Sequence, residues 1–594
     1  MVTRRLALVF IALSGCVRAS APTAIAPGAG KRVEGDHGMV AASHPDAVAA
    51  GVEVLRLGGN AVDAAVATGF ALSVTDVSQT GLGGGGAFTF YNAKTRRAEH
   101  LLFYPRSGED PAWGMADTSR GARRPGRAAA VPGMVAGLLD MHTRFGKLTR
   151  AQVMAPAITL ARDGFIVSPL LSRTITASKE KITADSLAMK RFMPRGEALH
   201  PGERLVQPEL AATLERISAE GAPAFYTGAI AERLAAKVQA QGGLISVRDM
   251  ANYKSASERP LCADWRGYTV LSAPPPMGGT SVVEMLQLAE LSGITSAGGF
   301  TSQPEAVAKL ADVLRIGGAD AGRWRGDPFA SSVPARGTSS LAYAKTRAGL
   351  VGGAFTDSMS AGDPRPFDST ATTGSCAAYD PYPTAAVGAA VNGQGARDAS
   401  EADAHAEAVD DDAFTHGSLT SHMAIVDGDG NAVSATTTVG VLFGSGIYTD
   451  GFFLNSAASN FDARTRGINR YANSTMSPTI ILDHGAVRLV VGAAGSQYIQ
   501  PAIVQVALRT LAFGEDPGIA IAAPRIYASA GSKDVEVEPG FMTSVYQALV
   551  ARGYRPQSRV ADITFGGVHA VFVRKDGRRI GIADPRRDGV AGGN

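Results

Sequence analysis

Apolar residues recur at helical spacing in several stretches of the chain. The first stretch begins at Pro45 and ends before the glycines at 58–59, which favour a helix stop. A second, with Asn60 as its N-cap, is apolar nearly all round to about residue 72, a pattern typical of a buried helix. The same periodicity predicts further helices over residues 151–163, 208–220, 282–291 and 501–513.

Short runs rich in β-branched and aromatic residues lie between and after these helices. They predict strands over residues 87–91, 268–272, 421–426, 432–438, 480–482 and 487–491. Turn residues at 427–431 join two of these strands into a hairpin, and a turn at 483–485 joins two more. The mixture of helices and strands predicts a layered α/β (α+β) protein.

Residues 352–417 differ from the rest of the chain because their apolar residues follow neither the helical spacing nor the alternation typical of a strand. They are rich in Ala, Gly, Asp and Ser, a composition typical of a flexible linker or insertion. Thr420 lies at the start of the strand that follows. The sequence therefore predicts a mobile segment that leads directly into an ordered strand.

The first residues, 1–16, have the pattern of an export signal. Two arginines precede an apolar run, residues 6–13, that is too short to span a bilayer. The run leads into Leu-Ser-Gly-Cys, which resembles the lipobox of bacterial lipoproteins with Cys16 as the lipidated residue. An ordinary signal that is cleaved and discards Cys16 is the alternative. We expect residues 17–34 to form a tether, and the protein to be exported to the bacterial periplasm, with a lipid anchor to the membrane if the lipobox functions.

Charge and cysteine content narrow the class of protein. The 594 residues include 57 basic and 54 acidic side chains, a net charge of +3, and the basic residues do not cluster with aromatic ones. This balance argues against nucleic acid as a partner. Apart from Cys16, only Cys262 and Cys376 are present, so there is no disulfide framework, and the sequence leaves open whether these two pair.

One glycine run has the spacing of a dinucleotide-binding motif, but the secondary structure predicted on either side of it does not fit such a site. Residues 81–86 satisfy G-x-G-x-x-G, yet a dinucleotide site needs a strand before the run and a helix after it. Here a helix precedes and a strand follows, so the glycines more simply allow close backbone approach. The chain has no HExxH, no paired CxxC and no P-loop motif, and Gly444-Ser445-Gly446 lacks the outer spacing of a serine nucleophile elbow. We expect no metal and no cofactor.

A collinear set of short motifs, from about residue 35 to 592, resembles the γ-glutamyltransferase family. In the second half these are Thr-Ser-His at 420–422, Thr-Thr-Thr at 436–438, Phe-Gly-Ser-Gly at 443–446, Ser-Thr-Met-Ser-Pro-Thr at 474–479, Ala-Pro-Arg at 523–525 and Asp-Pro-Arg at 584–586. In the first half they include Gly-Gly-Asn-Ala-Val-Asp-Ala-Ala at 58–65, the glycines at 83–86, Pro-Gly at 132–133 and Pro-Pro-Pro at 274–276. The segment 352–417 is the main gap in the resemblance.

The resemblance implies a four-layer αββα sandwich of the N-terminal-nucleophile hydrolase type. It also implies a proenzyme that cleaves itself between Leu419 and Thr420 into a large fragment, 35–419, and a small fragment, 420–594, which remain associated. The new α-amine of Thr420 then serves as the base for its own hydroxyl. Taken alone, Thr-Ser-His before a strand would be structural, because threonine favours strands.

The resemblance also assigns roles around Thr420. Thr438 matches the threonine that supports the nucleophile. Gly495 and Ser496 match a Gly-Gly pair whose N–H groups hold the oxyanion, and Ser496 keeps its N–H. The serine pair that contacts the substrate carboxylate survives as Ser474 and Thr475.

The acyl pocket departs from the family pattern. The family holds the substrate carboxylate with an arginine in a Phe-Arg-Glu segment, whereas this chain has Phe-Tyr-Pro-Arg at 103–106, which leaves Arg106 as the candidate. Asn460 replaces an aspartate that pairs with the α-ammonium group of a glutamyl substrate, and Gly440 replaces a contacting asparagine. The loop over 462–473 is shorter than the lid of many relatives, which favours an open site.

We therefore expect an amidohydrolase or acyltransferase that acts on glutathione-like γ-glutamyl amides, with water or the amine of an amino acid or peptide as the acceptor. A glutaryl-type (cephalosporin-like) acylase on the same machinery is the alternative, since Asn460 carries no charge. A non-catalytic binding homologue is the alternative from another class, and the intact Thr420, Thr438 and Gly495 argue against it.

Overall fold

The computed structural model describes residues 31–114, 125–296, 298–300, 303–368, 376, 418–462, 465–560, 562–563 and 565–594. Its strands are β1 (Lys31–Gly35), β2 (Met39–Ala42), β3 (Gly85–Asn92), β4 (Arg97–Phe103), β5 (Phe165–Ile166), β6 (Arg204–Leu205), β7 (Ala256–Glu258), β8 (Leu261–Trp265), β9 (Tyr268–Ser272), β10 (Ser418–Val426), β11 (Ala432–Val441), β12 (Tyr448–Thr449), β13 (Phe452–Phe453), β14 (Thr479–Asp483), β15 (Ala486–Ala494), β16 (Ile526–Ala528), β17 (Asp534–Val537), β18 (Arg555–Ser558), β19 (Gly567–Val573), β20 (Arg579–Ala583) and β21 (Val590–Gly593).

The helices surround these strands. They are α1 (Pro45–Arg56), α2 (Ala61–Thr75), α3 (Pro125–Ala128), α4 (Met134–Phe145), α5 (Arg150–Asp163), α6 (Pro169–Ala177), α7 (Lys179–Thr183), α8 (Ser186–Phe192), α9 (Pro208–Glu220), α10 (Pro223–Tyr226), α11 (Ala229–Ala240), α12 (Val247–Ala251), α13 (Gly279–Leu291), α14 (Pro304–Trp324), α15 (Ala335–Thr338), α16 (Leu341–Ala348), α17 (Ile499–Ala507), α18 (Pro517–Ala522) and α19 (Thr543–Arg552).

Two antiparallel seven-stranded sheets form the centre of the molecule. The first has the order β1-β20-β19-β15-β14-β9-β8 and the second the order β21-β2-β10-β11-β3-β4-β7. The sheets face each other through β10, β11, β15 and β19. Helices α13 and α17 pack on the outer face of the first sheet, and α1, α2 and α4 pack on that of the second. The predicted four-layer αββα sandwich is confirmed.

Helix α2 shows how the sequence fixes these layers. Asn60 caps it by accepting the N–H groups of Val62 and Asp63 at 2.9 and 3.0 Å, and the Asp63 carboxylate accepts the Asn60 N–H at 2.9 Å. Every residue of the helix is buried, because the sheet lies on one side and α5 on the other. The prediction of a buried, Asn-capped helix is confirmed.

Both sheets combine strands from the two sides of Leu419. In the second sheet β10 pairs with β2 and β11 with β3, and in the first sheet β14 pairs with β9. A cut before Thr420 would therefore leave two fragments joined by continuous hydrogen-bonded ladders. This interleaving supports the expectation that they remain associated.

The folded part of the chain extends past residue 352, the predicted start of the linker. The N–H of Gly352 donates to the Asp312 carboxylate at 2.8 Å, and that of Gly362 to Asp320 at 2.7 Å. These turns carry no apolar periodicity because buried carboxylates on α14, rather than apolar side chains, hold them in position. The linker prediction is therefore wrong for residues 352–368.

Three further expectations concern the ends and the cysteines. Residues 31–34, predicted as part of the tether, belong to β1, which pairs with β20. Cys262 of β8 forms a disulfide with Cys376, with Cα atoms 5.7 Å apart. In the described ranges, no helix combines the length and apolarity that a membrane crossing requires. Cys16 and the predicted signal lie outside those ranges.

Candidate active site

Thr420 lies in β10, an inner strand of the second sheet, and only 2 % of the residue is exposed. The ladder between β10 and β11 changes register here: Leu419 pairs with Gly440, and regular pairing resumes at Ser421. Such an irregularity interrupts the ladder hydrogen bonds and redirects the local backbone. The irregularity lies at the peptide bond between Leu419 and Thr420.

A side chain of β11, Thr438, hydrogen-bonds the carbonyl group of this peptide bond. Its hydroxyl group donates to the carbonyl oxygen of Leu419 at 2.6 Å, and it accepts the N–H of Gly440 at 2.8 Å. Because the N–H occupies a lone pair of the hydroxyl oxygen, the hydroxyl proton is left for the carbonyl. A donor at this point stabilises the negative charge that develops on the carbonyl oxygen when a nucleophile attacks.

Gly495 and Ser496 form the turn that follows β15. Both have a φ in the left-handed range, 126° and 53°, and Ser496 is a residue type that adopts this range at an energetic cost. The segment Ser496–Tyr498 has Cα atoms within 8 Å of β10. The structure thus brings the predicted oxyanion residues next to the strand that carries Thr420.

The glycine run before β3 serves close packing, as its position after a helix predicted. A Cβ atom on Gly84 would lie 2.2 Å from the carbonyl oxygen of Thr438. One on Gly86 would lie 2.2 Å from that of Thr436. These distances are too short for any side chain, so the glycines allow β11 to approach and thereby position Thr438.

Asn460 and Ser474 meet at the hydroxyl group of Tyr104. The side-chain amide of Asn460 donates to Tyr104 Oη at 3.1 Å, and Ser474 also hydrogen-bonds this hydroxyl. Burial raises the pKa of Tyr104, and these two hydrogen bonds oppose the rise. Thr475 follows in the segment whose Ser474 N–H donates to the Pro276 carbonyl at 3.0 Å. The resulting polar cluster of Tyr104, Asn460 and Ser474 is neutral.

Sequence reasoning missed Tyr104. The signal was present, because reading Phe-Tyr-Pro at 103–105 against Phe-Arg-Glu without a gap gives Tyr104 the position of the family arginine. Arg106, the predicted carboxylate partner, points elsewhere: its guanidinium donates to the Asn252 carbonyl at 2.7 Å and lies 5.3 Å from the Tyr253 ring centre. Among the contacts of the described residues, none joins Arg106 to Asn460 or Ser474.

Gly440 has a structural reason to be glycine in this chain. Its φ is 94°, and a Cβ atom here would lie 2.3 Å from the hydroxyl oxygen of Ser456. Ser456 in turn accepts the N–H of Val441 at 3.1 Å. The serine therefore occupies the space that an asparagine at position 440 would need.

Two of the sequence motifs meet in a buried ion-pair network near the C-terminus. Arg525 lies 2.7 Å and Arg586 3.1 Å from the Asp584 carboxylate. Burial alone would raise the pKa of Asp584, but the two arginines hold it well below its usual range. The network ties the segment after β20 to the segment before β16.

A four-layer sandwich of this kind, with Thr420 buried at the start of an inner strand and the turn at Gly495 and Ser496 next to that strand, is typical of the N-terminal-nucleophile hydrolases. The family profile described as Gamma-glutamyltranspeptidase matches residues 47–594. The chain belongs to the γ-glutamyltranspeptidase family, which consists of enzymes.

Individual relatives agree with this assignment. The chain is 31% identical to a glutathione hydrolase proenzyme of Escherichia coli (strain K12), over 98% of this chain and 97% of the relative. It is 32% identical to an acylase ACY 1 proenzyme of Pseudomonas sp. (strain V22), over 94% of each. The structure of a cephalosporin acylase from Bacillus halodurans shares the fold, with a TM-score of 0.79 and 24% identity over 97% of this chain and 99% of that one.

Proposed function

We propose that the chain is a proenzyme that cleaves itself between Leu419 and Thr420 and then hydrolyses or transfers the acyl group of γ-glutamyl amides. The observation that carries the proposal is the hydrogen bond from Thr438 to the Leu419 carbonyl, since it activates one peptide bond of the chain for attack. The glutathione hydrolases among the relatives make a γ-glutamyl amide the first substrate class to test.

Self-cleavage begins when the Thr420 hydroxyl oxygen attacks the carbonyl carbon of Leu419. The C–N bond breaks, the hydroxyl proton passes to the Thr420 nitrogen, and the Leu419 acyl group becomes an ester on Thr420. Water hydrolyses this ester, which leaves a carboxylate on Leu419 and restores the hydroxyl. The free amine of Thr420 has an unperturbed pKa of about 7.7–8.0, so part of it is neutral near pH 7 and able to act as a base.

Turnover uses the same groups. The Thr420 amine takes the proton of its own hydroxyl as the oxygen attacks the substrate amide, and the N–H groups of Gly495 and Ser496 are available for the oxyanion. The leaving amine receives the proton. Water, or the amine of an amino acid or peptide, then releases the acyl group from Thr420.

The test is to trap the acyl-enzyme. Processed protein is mixed with a γ-glutamyl amide, and the reaction is quenched in acid. The protein is then digested, and the mass of the peptide that begins with Thr420 is measured by mass spectrometry. The proposal predicts a mass increase of one γ-glutamyl group on that peptide, and none in Thr420→Ala. An enzyme that turns over the amide without labelling this peptide, or a protein with no turnover at all, contradicts it; the latter would favour a binding homologue.

The neutral cluster around Tyr104 favours a second candidate substrate, a glutaryl-type amide without an α-ammonium group. An unpaired ammonium is costly to bury, and Asn460, bonded to the neutral Tyr104, offers no compensating charge. An acylase among the relatives agrees with this candidate. The site then discriminates poorly between γ-glutamyl and glutaryl amides.

Asn460→Asp tests the choice of substrate. A carboxylate would pair with the ammonium, and hydrogen bonds to charged groups are worth about 1.5–3 kcal/mol against about 1 kcal/mol for neutral ones. We expect kcat/KM to shift toward the γ-glutamyl amide, by up to about tenfold for each 1.4 kcal/mol recovered. A wild type that strongly prefers γ-glutamyl amides, together with no shift in Asn460→Asp, contradicts the glutaryl candidate.

Export to the bacterial periplasm with a lipid on Cys16 is a separate proposal, which rests on the basic start, the short apolar run and the Leu-Ser-Gly-Cys at 13–16. Cys16→Ala is expected to move the protein from the membrane fraction to the soluble fraction. Unchanged fractionation, or a mature N-terminus beyond Cys16, contradicts lipidation.

A further inference from the structure

The side of β10 opposite to β11 is not covered by a strand at Thr420. Strand β2 pairs with β10 only from Met423 onward, where Ala42 is its last partner residue. In a strand, successive carbonyl groups point to opposite edges. The Leu419 carbonyl therefore faces β11 and Thr438, and the Thr420 carbonyl faces the side that β2 has left.

Arg587 fills this gap from the far end of the chain. Its Nη1 atom donates to the Thr420 carbonyl at 3.1 Å and also to the side-chain oxygen of Gln79, and its Nη2 atom donates to the Ile563 carbonyl at 2.5 Å. The residue is only 3 % exposed. Gly567 makes room for it, because a Cβ atom there would lie 2.2 Å from Cδ of Arg587.

Asp76, directly after α2, holds the next residue of β10. Its carboxylate accepts the hydroxyl of Ser421, the hydroxyl of Ser43 at 2.9 Å and the side-chain amide of Gln79 at 2.7 Å. Burial raises the pKa of Asp76 to about 6, while the hydrogen bond from Ser421 opposes the rise. Gln79 connects the carboxylate to Arg587, so the two charged groups form one buried unit.

We propose that Arg587 and Asp76 are positioning residues that fix the main chain of Thr420 for self-cleavage and for turnover. This inference rests on the cleavage proposed above. Before the cut, holding the Thr420 carbonyl limits the positions from which its hydroxyl can reach the Leu419 carbon. After the cut, Thr420 is a chain end, which would otherwise fray. Arg587 and Asp76 then hold the new N-terminus without touching the reacting atoms.

The experiment measures self-cleavage in freshly synthesised precursor, by cell-free translation followed by a timed chase. Arg587→Met removes the charged donor at similar length, and Arg587→Lys keeps a charge with fewer donors. Asp76→Asn keeps the shape, and Gly567→Ala displaces Arg587 without changing any charge. The matched control is Arg579→Met, because Arg579 is also buried and donates to main-chain carbonyls at the other end of β10, including Asp427 at 2.9 Å.

We expect Arg587→Met to cleave about 10- to 100-fold more slowly, the range that a hydrogen bond to a charged group represents. Arg587→Lys, Asp76→Asn and Gly567→Ala should be intermediate, and Arg579→Met close to wild type. Once cleaved, the slow variants should show a lower kcat with KM near wild type, since neither residue contacts Asn460, Ser474 or Tyr104 in the described structure.

Two results would overturn the positioning role. One is wild-type cleavage and kcat in Arg587→Met and Asp76→Asn. The other is equal slowing in Arg587→Met and Arg579→Met with equally lowered melting midpoints, which would indicate a general loss of stability. A wild type that yields no fragment beginning with Thr420 would instead overturn the proposed function, and this inference with it.

Discussion

At the scale of single residues, the main-chain carbonyl groups of Leu419 and Thr420 have different hydrogen-bond partners. The Leu419 carbonyl, which the proposed reaction attacks, accepts a short hydrogen bond from a hydroxyl group, and the Thr420 carbonyl, which does not react, accepts one from a guanidinium. The hydroxyl can follow the carbonyl oxygen as the carbonyl carbon becomes tetrahedral, whereas the guanidinium is held by its own buried partners. The arrangement activates one carbonyl and immobilises the other.

Thr438→Val should slow self-cleavage by about 100-fold or more, because valine has the same shape but no donor for the Leu419 carbonyl, and loss of one oxyanion donor costs about 2.7–4 kcal/mol. Thr438→Ser keeps the hydroxyl and should cleave much faster than the valine variant. The measurement is the rate at which the precursor band disappears. Equal rates in the two variants would show that the hydroxyl is not the active feature of Thr438.

At the scale of secondary-structure elements, the glycine run fixes the distance between β11 and the segment before β3. Gly84 and Gly81 belong to the same run but have different surroundings. A Cβ on Gly84 meets the Thr438 carbonyl at 2.2 Å, whereas the nearest atom to a Cβ on Gly81 is a side-chain carbon of Val439 at 3.8 Å. Only the first position therefore has a direct influence on Thr438.

Gly84→Ala should lower the melting midpoint and slow self-cleavage, because the added methyl group must push the Thr438 backbone away, and overpacking of this kind costs about 1–3 kcal/mol. Gly81→Ala is the matched control and should resemble wild type in both measurements. If both variants cleave at the wild-type rate, the close approach at Gly84 does not position Thr438.

The sequence predicted elements better than it predicted contacts. Alternating apolar residues located β10 and β11, and Asn60 located the start of α2. Tyr104, Asp76 and Arg587 were missed because their roles depend on which residues face each other across strands far apart in the chain. No periodicity or motif records that β2 ends at Ala42, opposite Met423 and three residues short of covering Thr420.

At the scale of the whole molecule, the facing sheets enclose histidines that carry no charge. His100, His422 and His569 are fully buried. Burial lowers the pKa of His100 and of His569 to about 3, and it holds that of His422 well below its usual range. Their contribution to stability is complete above pH of about 6.5 and is lost as the pH falls toward the folded-state values, because the unfolded chain takes up protons first.

His569→Gln should therefore become relatively more stable at low pH. Measured by urea unfolding in the uncleaved Thr420→Ala chain, the difference in unfolding free energy between the chains with His569 and with Gln should change by about 1.4 kcal/mol per pH unit between about pH 6 and pH 4. Groups that titrate equally in both chains contribute equally to the two unfolding free energies, so their contributions cancel in the difference. A difference that does not vary with pH would mean that His569 is protonated in the folded state.

The fragments of the purified protein test the central claim most directly. We expect two fragments, and an intact mass and N-terminal sequence that begin the smaller one at Thr420. Thr420→Ser, which keeps a hydroxyl, should be cut at the same bond, and Thr420→Ala should remain one chain without activity. A small fragment that begins at any other residue, or a Thr420→Ala chain that is still cut before position 420, would contradict the account.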